Sequence, residues 1–166
     1  MEMEPNSIRR TLFEVCRTIF EDAAFTFVDM PDETGAIDPG MTLDSGDIAA
    51  EVDFAGPFNG LLAVSTCSKM AVNAAANMLG VDEDDPSAGE KKSDALCELL
   101  NMICGNFLPA VAGAEPEFRI GSPRIISTGE FKRHIDNEQM PGAAAIQIVV
   151  EGCLTDVVFF VDDRKV

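Results

Sequence analysis

Residues 47–80 read DIAAEVDFAGPFNGLLAVSTCSKMAVNAAANMLG, and the way this run is parsed decides the fold. The flanks of Gly56-Pro57-Phe58-Asn59-Gly60 are short and apolar. The five residues between them are mostly turn formers, so the stretch predicts a β-hairpin. Ser68–Leu79 then carries alanine and methionine at helical density, and Gly80 offers the left-handed residue that ends a helix. A hairpin running straight into a helix points to an α+β fold, an antiparallel sheet with long helices packed on it.

The neighbouring segments extend this pattern. Ser7 stands where it can cap a first helix, whose Ile8, Leu12, Val15, Cys16, Ile19, Phe20 and Ala23 recur at helical spacing. Residues 31–46, with Pro31, Gly35, Pro39, Gly40 and Gly46, read as a surface loop. The acidic run VDEDDP at 81–86 is a solvated loop that lacks the central glycine of a calcium-binding loop. Ser87 and Glu90 have the spacing of a capping box and launch another helix, which Pro109 should kink or end. EFRIGSPRIIST (117–128) and AAAIQIVVEGCLTDVVFFV (143–161) read as strands, with Glu151-Gly152 as a tight turn. His134 falls in the polar run between them and is expected in an exposed loop. Residues 7–80 and 87–161 each read as a helix followed by paired strands, the mark of a diverged internal duplication.

The length of 166 residues predicts one domain, residues 1–166. Twelve Lys and Arg stand against 29 Asp and Glu, a net charge of −17 that repels nucleic acid and anionic membrane surfaces. No apolar run approaches the length of a membrane span and no leader pattern opens the chain, so a cytoplasmic location is expected. The five cysteines are scattered and form no CxxC, which predicts reduced, mostly buried thiols and no metal site.

Residues 93–106, SDALCELLNMICGN, combine two patterns. Leu96, Leu99, Leu100 and Ile103 make an apolar stripe, while Asp94, Glu98 and Asn101 make a polar one that leads into Gly105 and Asn106. Glu98 and Asn101, three apart, project side by side from one helix face. A carboxylate there can hold a cation, and a carboxamide can both donate to and accept from one water. Orienting an attacking water is what an amide does in phosphoryl transfer. From spacing alone, a merely wet helix face is the preferred explanation, since most polar helical stripes do nothing else.

The pattern Asp94-x-x-x-Glu98-x-x-Asn101 with Gly105-Asn106 resembles the signature helix of the CheC/CheX/FliY chemotaxis phosphatases. FAGPFNGLLAVS and the helix KMAVNAAANMLG resemble that family too, so the likeness runs from about Asp47 to Ile126. The resemblance implies a phosphatase that hastens hydrolysis of the aspartyl phosphate of a CheY-type response regulator. Glu98 would pair with the regulator's active-site lysine and Asn101 would align a water. The regulator would supply Mg²⁺, leaving this chain without a cofactor of its own. Asp94, Gly105, Asn106 and Pro123 would belong to the docking surface, Pro123 lying one residue short of the family's usual spacing. Gly105 would let a partner loop approach closely, or would let this helix pack tightly on its own sheet or its duplicate helix. The first helix has Arg10-x-x-x-Glu14-x-x-Arg17 where CheC carries a second motif. Arginine offers donors only, so a single site, as in CheX, is expected. The resemblance also implies a homodimer joined through its sheets, and AIQIVV could form that edge or be buried within one chain. The alternative function is a non-catalytic module of the same fold that binds a response regulator or flagellar switch component.

Overall fold

The structure, a computed structural model, describes residues 4–29, 46–113, 115–136 and 144–162. In chain order the elements are α1 (Pro5–Ala23), β1 (Val28–Asp29), β2 (Ile48–Ala55), β3 (Gly60–Thr66), α2 (Ser68–Leu79) and α3 (Pro86–Ala112). They continue with β4 (Arg119–Ile120), β5 (Arg124–Ile126), α4 (Thr128–Asp136), β6 (Ala144–Val150) and β7 (Cys153–Val161). The loop expected at 31–46 lies almost wholly outside the described residues.

All strand pairs are antiparallel, in the order β1-β6-β7-β3-β2-β4, with β5 also on β2. The hairpins β2–β3 and β6–β7 lie side by side, and their second strands pair down the centre, from Gly60 opposite Val161 to Ser65 opposite Asp156. That is the order two helix–hairpin halves give when laid next to each other. Alternation along the strands then sorts the side chains. Ile48, Ala50, Val52 and Phe54 of β2, with Val157, Phe159 and Val161 of β7, face the main core beneath α1 and α3. Ala49, Ala63, Val158 and Phe160 face the opposite side, where Phe131 of α4 covers them.

Helix ends follow local chemistry, and two caps differ from expectation. α1 begins earlier than Ser7, behind Glu4, with proline in its first turn and no side-chain cap. α3 begins at Pro86, and its cap is Asp85 rather than Ser87. The Asp85 carboxylate accepts from the Ser87 amide at 2.9 Å and from its hydroxyl at 2.6 Å, and these bonds hold the Asp85 carboxyl below its usual range. Proline in the following position needs no partner for a missing N–H, which favours this start. Gly80 does end α2, at φ +68°, with its own amide bonded to Asn77 and that of Val81 to Ala76. Pro109 does not end α3; the helix runs on to Ala112, where the Gly113 amide donates to the Pro109 carbonyl.

Three further expectations are corrected. Cys67 and Cys153 are disulfide-bonded, with Cα atoms 6.0 Å apart, whereas Cys16, Cys97 and Cys104 are free. Their spacing of 86 residues hides the pairing. It arises because the end of β3 and the start of β7 are neighbours, where Thr66 and Thr155 hydroxyls also meet at 2.8 Å. His134 is in α4, not in a loop, and its Nε2 lies 2.6 Å from Glu51 Oε2 on β2, whose other oxygen accepts from Arg124. Finally, the apolar stretch of α3 reaches a mean hydropathy of 1.5, so by length and composition alone the helix could cross a membrane, a property that buried core helices share. Glu98 and Asn101 interrupt its apolar runs and hide this in the sequence. Its apolar side packs against α1, α2 and the sheet.

Candidate functional site

The site is one face of α3. Leu96, Leu99, Leu100 and Ile103 are fully buried, each contributing about 1.5–3 kcal/mol relative to exposure. Further along, Phe107 packs edge-on against Phe159 of the central strand β7, with ring centroids 4.9 Å apart. Such burial far outweighs the helix cost of Asn101 and Gly105, up to about 1 kcal/mol each. The helix therefore holds its course whatever its outer face carries.

That outer face presents Asp94, Glu98, Gly105, Asn106 and Pro109 as exposed residues, with Asn101 half-buried among them. Asp94 accepts from Lys91 one turn back at 3.0 Å, an exposed pair worth about 0.5 kcal/mol or less. Asn106 turns its amide onto the Met102 carbonyl at 2.8 Å. The Glu98 carboxylate and Asn101 carboxamide make no hydrogen bond among the described residues. Of the polar side chains here, those two are left available.

Gly105 separates the two explanations given for it. A Cβ built there would meet only Ile120 Cδ1, at 3.8 Å, an ordinary contact. Tight packing against its own sheet does not require glycine at this position. Pro123 is not on the helix. It lies half-buried in the break between β4 and β5, where Gly121 donates to the Asp53 carbonyl at 2.8 Å and the edge strand resumes on β2 at Arg124. α3 packs against both short strands, so Pro123 is near the helix's sheet-side flank rather than among the polar stripe.

Two half-buried neighbours were not singled out from sequence. Cys97 and Met102 flank Glu98 and Asn101. Burial, and then the charge of Asp94, push the Cys97 thiol up, so it stays protonated and apolar. Their apolar character at helical spacing gave no signal beyond that of core residues. Among the described residues no three His, Cys, Asp or Glu side chains cluster to hold a metal ion.

The sequence profile described as chemotaxis phosphatase CheX matches residues 48–142, more than half of the chain. The chain belongs to the CheX family of chemotaxis phosphatases. Solved structures share its fold at low identity. The chemotaxis protein CheX from Desulfovibrio desulfuricans is 19% identical, with a TM-score of 0.67, 93% of this chain covered and 99% of that one. CheX from Borrelia burgdorferi, solved in a CheX–CheY–BeF3–Mg complex, is 18% identical, with a TM-score of 0.63 and coverage of 93% and 97%. Thermotoga maritima FliY is 15% identical, with a TM-score of 0.57 and coverage of 98% and 93%. Among curated proteins, none matches the sequence. In this CheX-family chain the matched region contains the hairpin β2–β3, α2 and all of α3, and so includes the polar face.

Proposed function

We propose that this chain accelerates hydrolysis of the aspartyl phosphate of a CheY-type response regulator by docking the polar face of α3 on it. The observation that carries the reading is the pair Glu98 and Asn101, neighbours on an open face of an anchored helix and without hydrogen bonds among the described residues. The Glu98 carboxylate pairs with the regulator's active-site lysine and fixes the register of docking. Asn101 then enters beside the phosphoryl group. Its carboxamide oxygen accepts from a water, whose oxygen lone pair is thereby aimed at phosphorus. The water oxygen bonds to phosphorus, the bond to the aspartyl oxygen breaks with its electron pair returning to the carboxylate, and a proton of the water passes to a phosphoryl oxygen of the departing phosphate. Mg²⁺ belongs to the regulator in this reading, where it offsets the charge of the phosphoryl oxygens. The Borrelia CheX solved with CheY, BeF3 and Mg supports the partner class.

A homodimer joined through the sheet is part of the proposal. Along Ala144–Ile148 no described strand pairs with the outer edge of β6, since β1 meets only Val149 and Val150. Sedimentation at micromolar concentration checks it, and a monomer would remove it.

The decisive experiment measures decay of phosphorylated regulator with and without the protein. Asn101→Ala is expected to lower the stimulated rate by about 10²-fold while the circular dichroism spectrum is unchanged. Saturable binding with an unaltered phosphate lifetime in the unmutated protein would sink the catalytic reading and favour the non-catalytic binding module.

A further inference from the structure

Far from the catalytic pair in sequence, the connection after α1 is built in an unusual way. Thr26 is only 3% exposed, and both its amide and its hydroxyl donate to the Phe20 carbonyl, at 3.1 and 2.8 Å. Just before it, the Ala24 carbonyl accepts from Asn77 of α2 at 2.7 Å. Just after it, the Phe27 amide donates to Glu151 Oε1 at 2.9 Å, and the Phe27 carbonyl accepts from the Glu151 amide at 3.2 Å. α1, α2 and the β6–β7 turn thus hold Ala24, Thr26 and Phe27.

The clamp holds side chains in the reverse of the usual order. The polar Thr26 points in, while Phe25 and Phe27 are 70% and 78% exposed. Phe25 also sits at φ +52°, in the left-handed region that bulky side chains avoid, while Glu151, which holds Phe27, is at φ +50° as the first residue of the tight Glu151-Gly152 turn. A loop with no task would relax the strain at Phe25 and turn its rings towards the core. Instead the rings are displayed from a rigid mount. Acidic side chains accompany them: Glu21 and Asp22 are exposed in the last turn of α1, which has no basic residue, and the exposed Glu151 bonds to Phe27.

We propose that Phe25 and Phe27 form a docking point for a basic segment of a partner protein, an amphipathic helix with apolar side chains flanked by Lys or Arg. The rings supply apolar contact and cation–π faces, and Glu21, Asp22 and Glu151 pair with the flanking cations. A second copy of this chain would bring the same three carboxylates against their like, and anionic lipid would be repelled by the net charge of −17. The partner is a protein segment of opposite charge.

The test uses two synthetic 18-residue amphipathic peptides, one of leucine and lysine and one of leucine and glutamate, labelled for fluorescence anisotropy. The lysine peptide is expected to bind and the glutamate peptide not to. In the variant F25S/F27S the affinity for the lysine peptide should fall at least tenfold, while stimulated dephosphorylation is unchanged and shows that the fold is intact. If that variant proves unfolded, Glu21→Gln with Asp22→Asn should weaken lysine-peptide binding at least threefold. Equal binding of the lysine peptide by variant and parent, or no binding at all, would overturn the proposal. So would a loss of self-association in F25S/F27S by sedimentation, which would assign the rings to a second copy, or binding to neutral phosphatidylcholine vesicles that the variant abolishes.

Discussion

The faces of α1 and α3 carry nearly the same spacing and end in opposite states. In α1, Glu14 is followed three residues on by Arg17, whose guanidinium meets the carboxylate at 2.8 Å. In α3, Glu98 is followed at the same interval by Asn101, and neither side chain has a hydrogen-bond partner among the described residues. Both faces are at least partly open to water. The difference is whether the carboxylate is satisfied within its own helix. An arginine at the second position neutralises the glutamate locally and offers donors only. An asparagine leaves the charge unmatched and keeps an acceptor available. A one-residue difference thus separates a self-contained ion pair from a surface that gains by meeting something else.

Making α3 read like α1 is the strongest way to break this contrast. Asn101→Arg should abolish stimulated dephosphorylation by about 10²-fold or more, because the guanidinium both removes the acceptor and captures Glu98. Retained activity would show that the carboxamide is not the working group. Next, Glu98→Ala is expected to raise KM for phosphorylated regulator about tenfold, with a smaller fall in kcat, as fits loss of a charge-assisted contact made on docking. A pure kcat effect would place Glu98 in the chemistry instead. Gly105→Ala should weaken regulator binding several-fold while stabilising the fold by up to about 1 kcal/mol in chemical denaturation, since the added methyl meets nothing nearer than Ile120. Destabilisation would return this glycine to a packing role. The smallest effect is expected from Arg17→Asn, which frees Glu14 but leaves Arg10 in place. Activity should stay within about twofold of the parent, and in an Asn101→Ala background it should not recover.

Much of the layout was legible because it rests on short-range chemistry. The hairpin around Gly56–Gly60, the αL stop at Gly80 and the buried stripe of α3 are each encoded within a few residues. The polar stripe was legible too, but only as a stripe; whether Glu98 and Asn101 were committed depended on neighbours the sequence cannot place. What escaped was mostly long-range. The Cys67–Cys153 bond depends on β3 pairing with β7, and His134 reaches Glu51 across 83 residues. The cap of α3 differs for a local reason: Asp85 stands directly before Pro86 and caps the helix two residues ahead of the Ser87–Glu90 spacing. Phe25 and Phe27 carry no signal of their own, since nothing local announces that Thr26 will take the inward place.

The disulfide bears on the two helices differently. Its 86-residue ring encloses α2 and α3, whereas α1 and the hairpin β2–β3 lie outside it. In polymer terms, closing a loop of that size removes about 4.5 kcal/mol of chain entropy from the unfolded state. That restriction falls on the segment inside the ring. On unfolding, the α3 segment recovers less disorder than the α1 segment does, so the covalent bond biases the chain to keep α3 ordered after α1 has begun to fray.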